Sequence, residues 1–197
     1  VGGLGNVVDS LAAVREVMFE CAEARGDQLW EALTADFQGY EALRQRLECC
    51  PRYGNDDPRA DELAQRVADL VFRELRRYAP WRGGRFLPSC LMFATYAAAG
   101  EPVMATPDGR LAGQPIGDSI GAVQGRDRHG PTALIRSVAG IPQTLAPGTL
   151  VTNFRFARSM FEGEQRGKIK DLIRTYFALG GLQMQITVVD QDTLRCA

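Results

Sequence analysis

The chain has 197 residues, 45% of them hydrophobic and 24% charged, with 23 Lys and Arg against 24 Asp and Glu. That balance excludes a disordered chain, and a net charge of −1 leaves no electrostatic footprint for nucleic acid or an anionic membrane surface. No apolar run reaches the roughly 18 to 20 residues of a membrane span. Val1-Gly2-Gly3-Leu4 has neither the basic nor the apolar region of a secretion leader, so the expected location is cytoplasmic. Val rather than Met stands first, which raises the expectation that this is a piece of a larger protein. Five cysteines without C-x-x-C spacing and a single histidine, His129, point to reduced thiols and give a Cys/His zinc site little to build on.

Residues 1–80 read as helical. Asp9 is placed to cap an amphipathic helix with apolar Leu11, Val14, Val17, Met18 and Cys21. Gly26 closes it, and Asp27 opens a second helix through Leu29, Trp30, Leu33 and Phe37. Tyr40, Leu43 and Leu47 mark a third helix, stopped by Pro51. Asp57-Pro58 supplies a cap and first-turn proline for a fourth, with a stripe of Leu63, Val67, Leu70, Val71 and Leu75.

Residues 81–197 change pattern. Phe86 to Tyr96 is expected to be a strand, and the Gly-, Pro- and Asp-rich residues 97–128 one long ordered loop, a feature that is usually functional. A short helix follows from Thr132 to Ala139. Thr149 to Phe156 alternates, with Leu150, Thr152, Phe154 and Phe156 on one face and Asn153 and Arg155 on the other. After a helix carrying Ile169, Leu172, Ile173, Tyr176 and Phe177, Gly180-Gly181 leads into a last strand. There Leu182, Met184, Ile186 and Val188 oppose Gln183, Gln185 and Thr187. Strand-helix-strand-helix-strand implies an α/β fold with parallel crossovers. Polar stripes are odd in a sheet buried on both faces and suit a barrel with a reaction site inside.

Several candidate sites have simpler explanations. Cys49-Cys50 ends a helix, and Cys90 suits a core strand. Asn55, Asp56, Asp57, Asp61 and Glu62 read as helix capping and first-turn charge rather than a cation site. His129 fits a solvated turn, and Gly113 to Gly125 lacks the spacing of a phosphate cradle.

A series of motifs runs through nearly the whole chain. It begins with Asn6-Val7-Val8-Asp9-Ser10-Leu11-Ala12-Ala13, Tyr53-Gly54-Asn55-Asp56-Asp57 and Gly83-Gly84-Arg85-Phe86. Ala105-Thr106-Pro107-Asp108-Gly109-Arg110, Gln124-Gly125-Arg126-Asp127 and Gly130-Pro131-Thr132-Ala133 follow. It ends with Asp171-Leu172-Ile173-Arg174-Thr175-Tyr176-Phe177 and Val188-Val189-Asp190. The series resembles the glycyl radical enzymes, the pyruvate formate-lyase-like family, and within it the dehydratase and C–N lyase branch. Asp118-Ser119-Ile120-Gly121-Ala122-Val123 departs from the family's usual Asp-Gly-x-Ser-Pro-Val, which puts the local turn in question.

The resemblance implies part of a glycyl-radical-enzyme barrel and a radical C–O or C–N elimination. It also implies a glycyl radical raised by an activating enzyme that uses S-adenosylmethionine and an iron–sulfur cluster. The implied partners are the remainder of the same enzyme, that activase, a second subunit in a homodimer, and a small-molecule substrate. The family's Gly-Cys-x-Glu segment is expected upstream of the matched part. Its Arg-Val-x-Gly-Tyr segment is expected just beyond the part matched by Asp190 to Thr193, so no catalytic residue is expected here and the chain alone would be inactive. The substrate-lining candidates are Leu91, Phe93 and Thr95 on the first strand, with Asn153, Gln183 and Gln185 on its neighbours. Rival readings are a radical decarboxylase or aryl-adding synthase on the same scaffold, and a non-catalytic scaffold or split-enzyme component.

Overall fold

The structure, a computed structural model, describes residues 1–92, 94–190 and 195. Helix α1 spans Leu4–Val14 and runs on into a π-helical turn, Arg15–Glu20. Helices α2 (Gly26–Thr34), α3 (Glu41–Glu48) and α4 (Pro58–Arg77) follow. Then come β1 (Ser89–Cys90), α5 (Tyr96–Gly100), α6 (Pro131–Ala139), β2 (Thr149–Phe156), α7 (Gln165–Ala178) and β3 (Gln183–Val188). The three strands form one parallel sheet in the order β1-β2-β3, the α/β arrangement expected from the pattern.

Four local expectations are corrected. Asp9 caps nothing: α1 starts at Leu4, and Asp9 lies mid-helix, where its buried carboxylate accepts the Tyr53 N–H at 2.9 Å. That distant bond leaves the carboxylate no local backbone to cap. The buried stripe of α1 is Leu4, Val8 and Ala12, whereas Leu11 stays 42% exposed. On α4 the buried positions are Ala60, Ala64, Ala68 and Phe72, with Leu63, Val67 and Val71 at the flanks and Leu70 in solvent. Small alanines at a spacing of four let α4 lie close against α1. The expected strand from Phe86 to Tyr96 shrinks to Ser89–Cys90, because the chain turns at Ala94-Thr95 and enters α5.

Other signals act as read. Asp57 caps α4 by accepting the Arg59 N–H, with Pro58 in the first turn. Helix α2 differs in detail: Gly26 is its first residue, and Asp27 sits in the first turn. At the end of α7, Gly180 (φ +94°) donates to the Phe177 carbonyl and Gly181 to that of Tyr176. This double closure requires a left-handed residue. Gly181 has a further reason to lack a side chain, since a Cβ there would lie 2.3 Å from the Tyr176 ring.

The main core lies between the helices and one face of the sheet. Leu4, Val8, Tyr53, Phe72, Leu134, Ile135, Leu150, Phe154 and Tyr176 meet there, and Cys90 is buried among them. A smaller cluster of Ala13, Val17, Leu29, Phe37, Leu47 and Cys50 joins α2 and α3 to the end of α1. Burial pushes the thiols of Cys50 and Cys90 up to about 11, which suits inert packing.

Candidate functional site in the concave face of the sheet

The second face of the sheet is polar. Asn153 on β2 sits beside Gln185 on β3 in the parallel register, and Arg155 beside Thr187. The apolar set Leu150, Thr152, Phe154 points the other way, into the core, where the Thr152 hydroxyl meets the Tyr176 hydroxyl at 3.0 Å. Strand alternation thus sends every second residue of β2 and β3 to one concave surface.

The long segment between α5 and α6 closes over this surface. Ile120 donates its N–H to the Val151 carbonyl at 3.1 Å, which seats the 118–121 turn on β2. The result is a cavity of about 310 Å³ lined by Leu91, Tyr96, Asp118, Ser119, Asn153, Arg155, Gln185 and Thr187. Asn153 donates to the Ser119 hydroxyl at 3.3 Å, and Arg155 lies 3.8 Å from the buried Asp118 carboxylate. Ser119 adopts φ +49°, the left-handed region. The departure of this turn from the usual Asp-Gly pattern therefore keeps a glycine-like backbone while adding a hydroxyl to the cavity wall.

Of the six residues picked from sequence, Leu91, Asn153 and Gln185 come together in this cavity. Gln183 shares their face but lies at the start of β3, accepting the Thr149 hydroxyl. Thr95 sits on the turn before α5, its hydroxyl donating to the Met92 carbonyl, so the alternation assumed for it does not extend past Cys90. Phe93, Cys196 and residues 191–193 lie outside the described residues. Asp118, Ser119, Arg155 and Thr187 were not among the candidates. For Arg155 and Thr187 the signal was present, since they continue the stripes that carry Asn153 and Gln185.

Motif residues, together with Arg52 beside one motif, hold this loop in place. Asn6 donates to the Asp108 carboxylate at 2.8 Å and accepts the Gly117 N–H at 2.6 Å. Arg52 donates to the carbonyls of Leu47 and Asp108, and Arg110 to those of Gln114 and Val103. Asn55 donates to the carbonyls of Arg52 and Arg126 and accepts the N–H groups of Arg128 and His129. Together they satisfy backbone groups that an irregular buried segment would otherwise leave unpaired. Asp9 lies under this network 3.6 Å from Arg52, and its burial pushes its pKa up to about 7. The acidic run is accounted for similarly: Asp56 pairs with Arg136, and Asp61 accepts the Ser137 hydroxyl. Among the described residues no three His, Cys, Asp or Glu side chains converge as a metal site would require.

A family model described as pyruvate formate lyase-like matches residues 1–100, and one described as glycine radical matches residues 116–197. The trans-4-hydroxy-L-proline dehydratase of Clostridioides difficile is 35% identical over 98% of this chain and 24% of its own length. The isethionate sulfite-lyase of Bilophila wadsworthia is likewise 35% identical, over 99% of this chain and 24% of its own length. The glycerol-bound B12-independent glycerol dehydratase from Clostridium butyricum superposes with a TM-score of 0.95 at 33% identity, covering 99% of this chain and 25% of that one. The chain thus spans about a quarter of the length of the relatives it matches. With matched segments reaching from its first residue to its last, the chain belongs to the pyruvate formate lyase-like family of glycyl radical enzymes.

Proposed function

We propose that this chain supplies part of the substrate cavity of a glycyl radical lyase that eliminates water or an amine from a small polar substrate. One observation carries the reading: Asn153, Gln185 and Thr187 of the sheet and Ser119 of the overlying turn surround a cavity of about 310 Å³, with the Asp118–Arg155 pair at its wall. Neutral donors and acceptors at that density suit hydroxyl groups of a polyol or hydroxy acid, and such few, placed polar groups fix orientation. Relatives named for hydroxyproline and glycerol dehydration support the same class. The radical chemistry is assigned to the remainder of the enzyme and to an activating enzyme carrying S-adenosylmethionine and an iron–sulfur cluster. The residues here bind and orient substrate and help exclude water. A homodimer in the cytoplasm is the expected setting.

The test is anaerobic reconstitution of the full-length enzyme containing this chain with its activating enzyme. Radical formation is followed by electron paramagnetic resonance, and product by mass spectrometry on trans-4-hydroxy-L-proline, glycerol, propane-1,2-diol and isethionate. Dehydration of trans-4-hydroxy-L-proline, glycerol or propane-1,2-diol, with KM raised by Gln185→Ala or Asn153→Ala, is the expected result. A radical that forms while these three are returned unchanged, or that turns over isethionate alone with release of sulfite, refutes the reading.

A further inference from the structure

A second cavity of about 310 Å³ opens where the end of α3, the start of α4 and the 126–129 turn meet, and it shares no lining residue with the first. Its walls carry more positive charge than the fold neutralises. Arg59 is matched by Asp57 at 2.8 Å. Glu48 is held by Arg44 at 2.9 Å and is only a remote neighbour of Arg126, at 3.9 Å. Arg52 is 8% exposed, and its Nε and Nη1 make no hydrogen bond. Its Nη1 lies 3.6 Å from the Asp9 carboxylate, so Arg126 and Arg128 are the two charges left without a close partner. The Arg128 side chain has no hydrogen bond or ion pair among the described residues, although its backbone N–H is fixed by Asn55 at 2.7 Å.

Asn55 makes this a preformed arrangement. It is 8% exposed and bonds four backbone groups, at residues 52, 126, 128 and 129. The backbones that carry three guanidinium groups are thereby clamped to one point. Holding like charges together in a half-enclosed space costs free energy unless an anion joins them. Forked guanidinium groups are suited to oxyanions.

We propose that this cavity binds a small dianionic oxyanion of the phosphate type, contacted by Arg126 and Arg128 over the buried Arg52. Two negative charges match the excess, and the volume accepts either free phosphate or the phosphoryl group of a small metabolite.

Cys49 lines this cavity and is exposed, whereas Cys21, also exposed, does not line it. Alkylation of the two thiols by iodoacetamide, read by mass spectrometry on the full-length enzyme, therefore contains its own control. Saturating inorganic phosphate is expected to slow Cys49 at least about fivefold and leave Cys21 unchanged, and Arg128→Gln to raise the phosphate concentration needed about tenfold. Arg126→Gln provides a second variant with the same expectation. A phosphate monoester protecting at lower concentration than inorganic phosphate assigns the site to a metabolite, and the reverse order assigns it to free phosphate. Equal slowing by chloride at matched ionic strength, or protection that survives both substitutions, overturns the proposal.

Discussion

The buried Asp9 makes a strong prediction about pH. Its carboxylate has one good hydrogen bond, from the Tyr53 N–H, and its other oxygen faces Arg52 at 3.6 Å without a hydrogen bond. Desolvation outweighs the nearby Arg52 and lifts the pKa from an ordinary 3.8 to about 7. Because the folded value is the higher one, the native chain holds this proton more tightly than the unfolded chain. The associated stability is complete below pH 3.8 and is lost as pH rises through about 7. The whole gap is worth about 4 kcal/mol at roughly 1.4 kcal/mol per pH unit. Asp61, raised to about 6 mainly by burial, adds a second fall that ends earlier, so the interval above pH 6 isolates Asp9. Asp9→Asn keeps an oxygen for Tyr53 and removes the titration. From pH 5 to pH 8 the variant should gain about 2 to 3 kcal/mol on the wild type in urea unfolding. A difference between the two proteins that stays constant across that range would show that Asp9 does not titrate in the folded state, and the account of the network beneath the loop would fail.

Four shorter tests bear on the fold and the site. Phe72→Ala on α4 removes a fully buried ring and should cost about 3 to 5 kcal/mol in denaturant unfolding. Tyr176→Phe leaves the Thr152 hydroxyl without its partner at 3.0 Å and should cost about 1 to 2 kcal/mol, with loss of protection in β2 by hydrogen exchange. Ser119→Gly relieves a left-handed serine at φ +49° worth about 1 kcal/mol, and should raise the melting temperature slightly despite the lost contact with Asn153. A clear fall would mean that the hydroxyl contact outweighs the backbone strain. Gln185→Ala, on the reading proposed above, should raise KM several-fold in the activated enzyme while leaving the melting temperature near wild type, since its side chain makes no hydrogen bond among the described residues.

What was legible in the sequence follows the physics of each segment. Strand β2 was readable residue by residue because one face packs on a core and the other does not, so composition alternates with the backbone. Helix α4 was readable in extent because Asp57-Pro58 is a local start signal, yet its buried face was misplaced. Leucine and valine attract a periodicity argument, whereas contact with α1 is made by alanines, which carry little hydrophobic signal of their own. The strand before α5 was overestimated because bulky apolar residues from Phe86 onward can equally serve an exposed connection, as Phe86 and Leu87 do. Asp118 and Ser119 could not be placed in the cavity from local pattern. Their position depends on long-range bonds, among them Ile120 to Val151 and the Tyr53 hydroxyl to Ile120, and long-range pairing of an irregular segment leaves no period to read.

The motifs that made the family recognisable are, in this structure, mostly devices for holding a loop. Asn6, Asp9, Asn55, Asp108 and Arg110, with Arg52 beside the second motif, are all buried polar residues, and most of their hydrogen bonds go to backbone or to another member of the set. A segment as long as that between α5 and α6 has few ladder bonds of its own, so its carbonyls and N–H groups must be met one at a time by side chains. Each such side chain is needed at one position and in one geometry. A short polar motif can therefore be highly recognisable without touching a substrate. The polar residues that face the cavity are ordinary by comparison: an asparagine, a glutamine, a threonine and a serine, beside one Asp–Arg pair, on strands and a turn. Their chemistry is generic, and their placement by the loop network is what would make them selective. Differences in substrate among relatives that share the motifs should then track substitutions at positions 91, 119, 153, 185 and 187, while substitutions in the network should act first on folding.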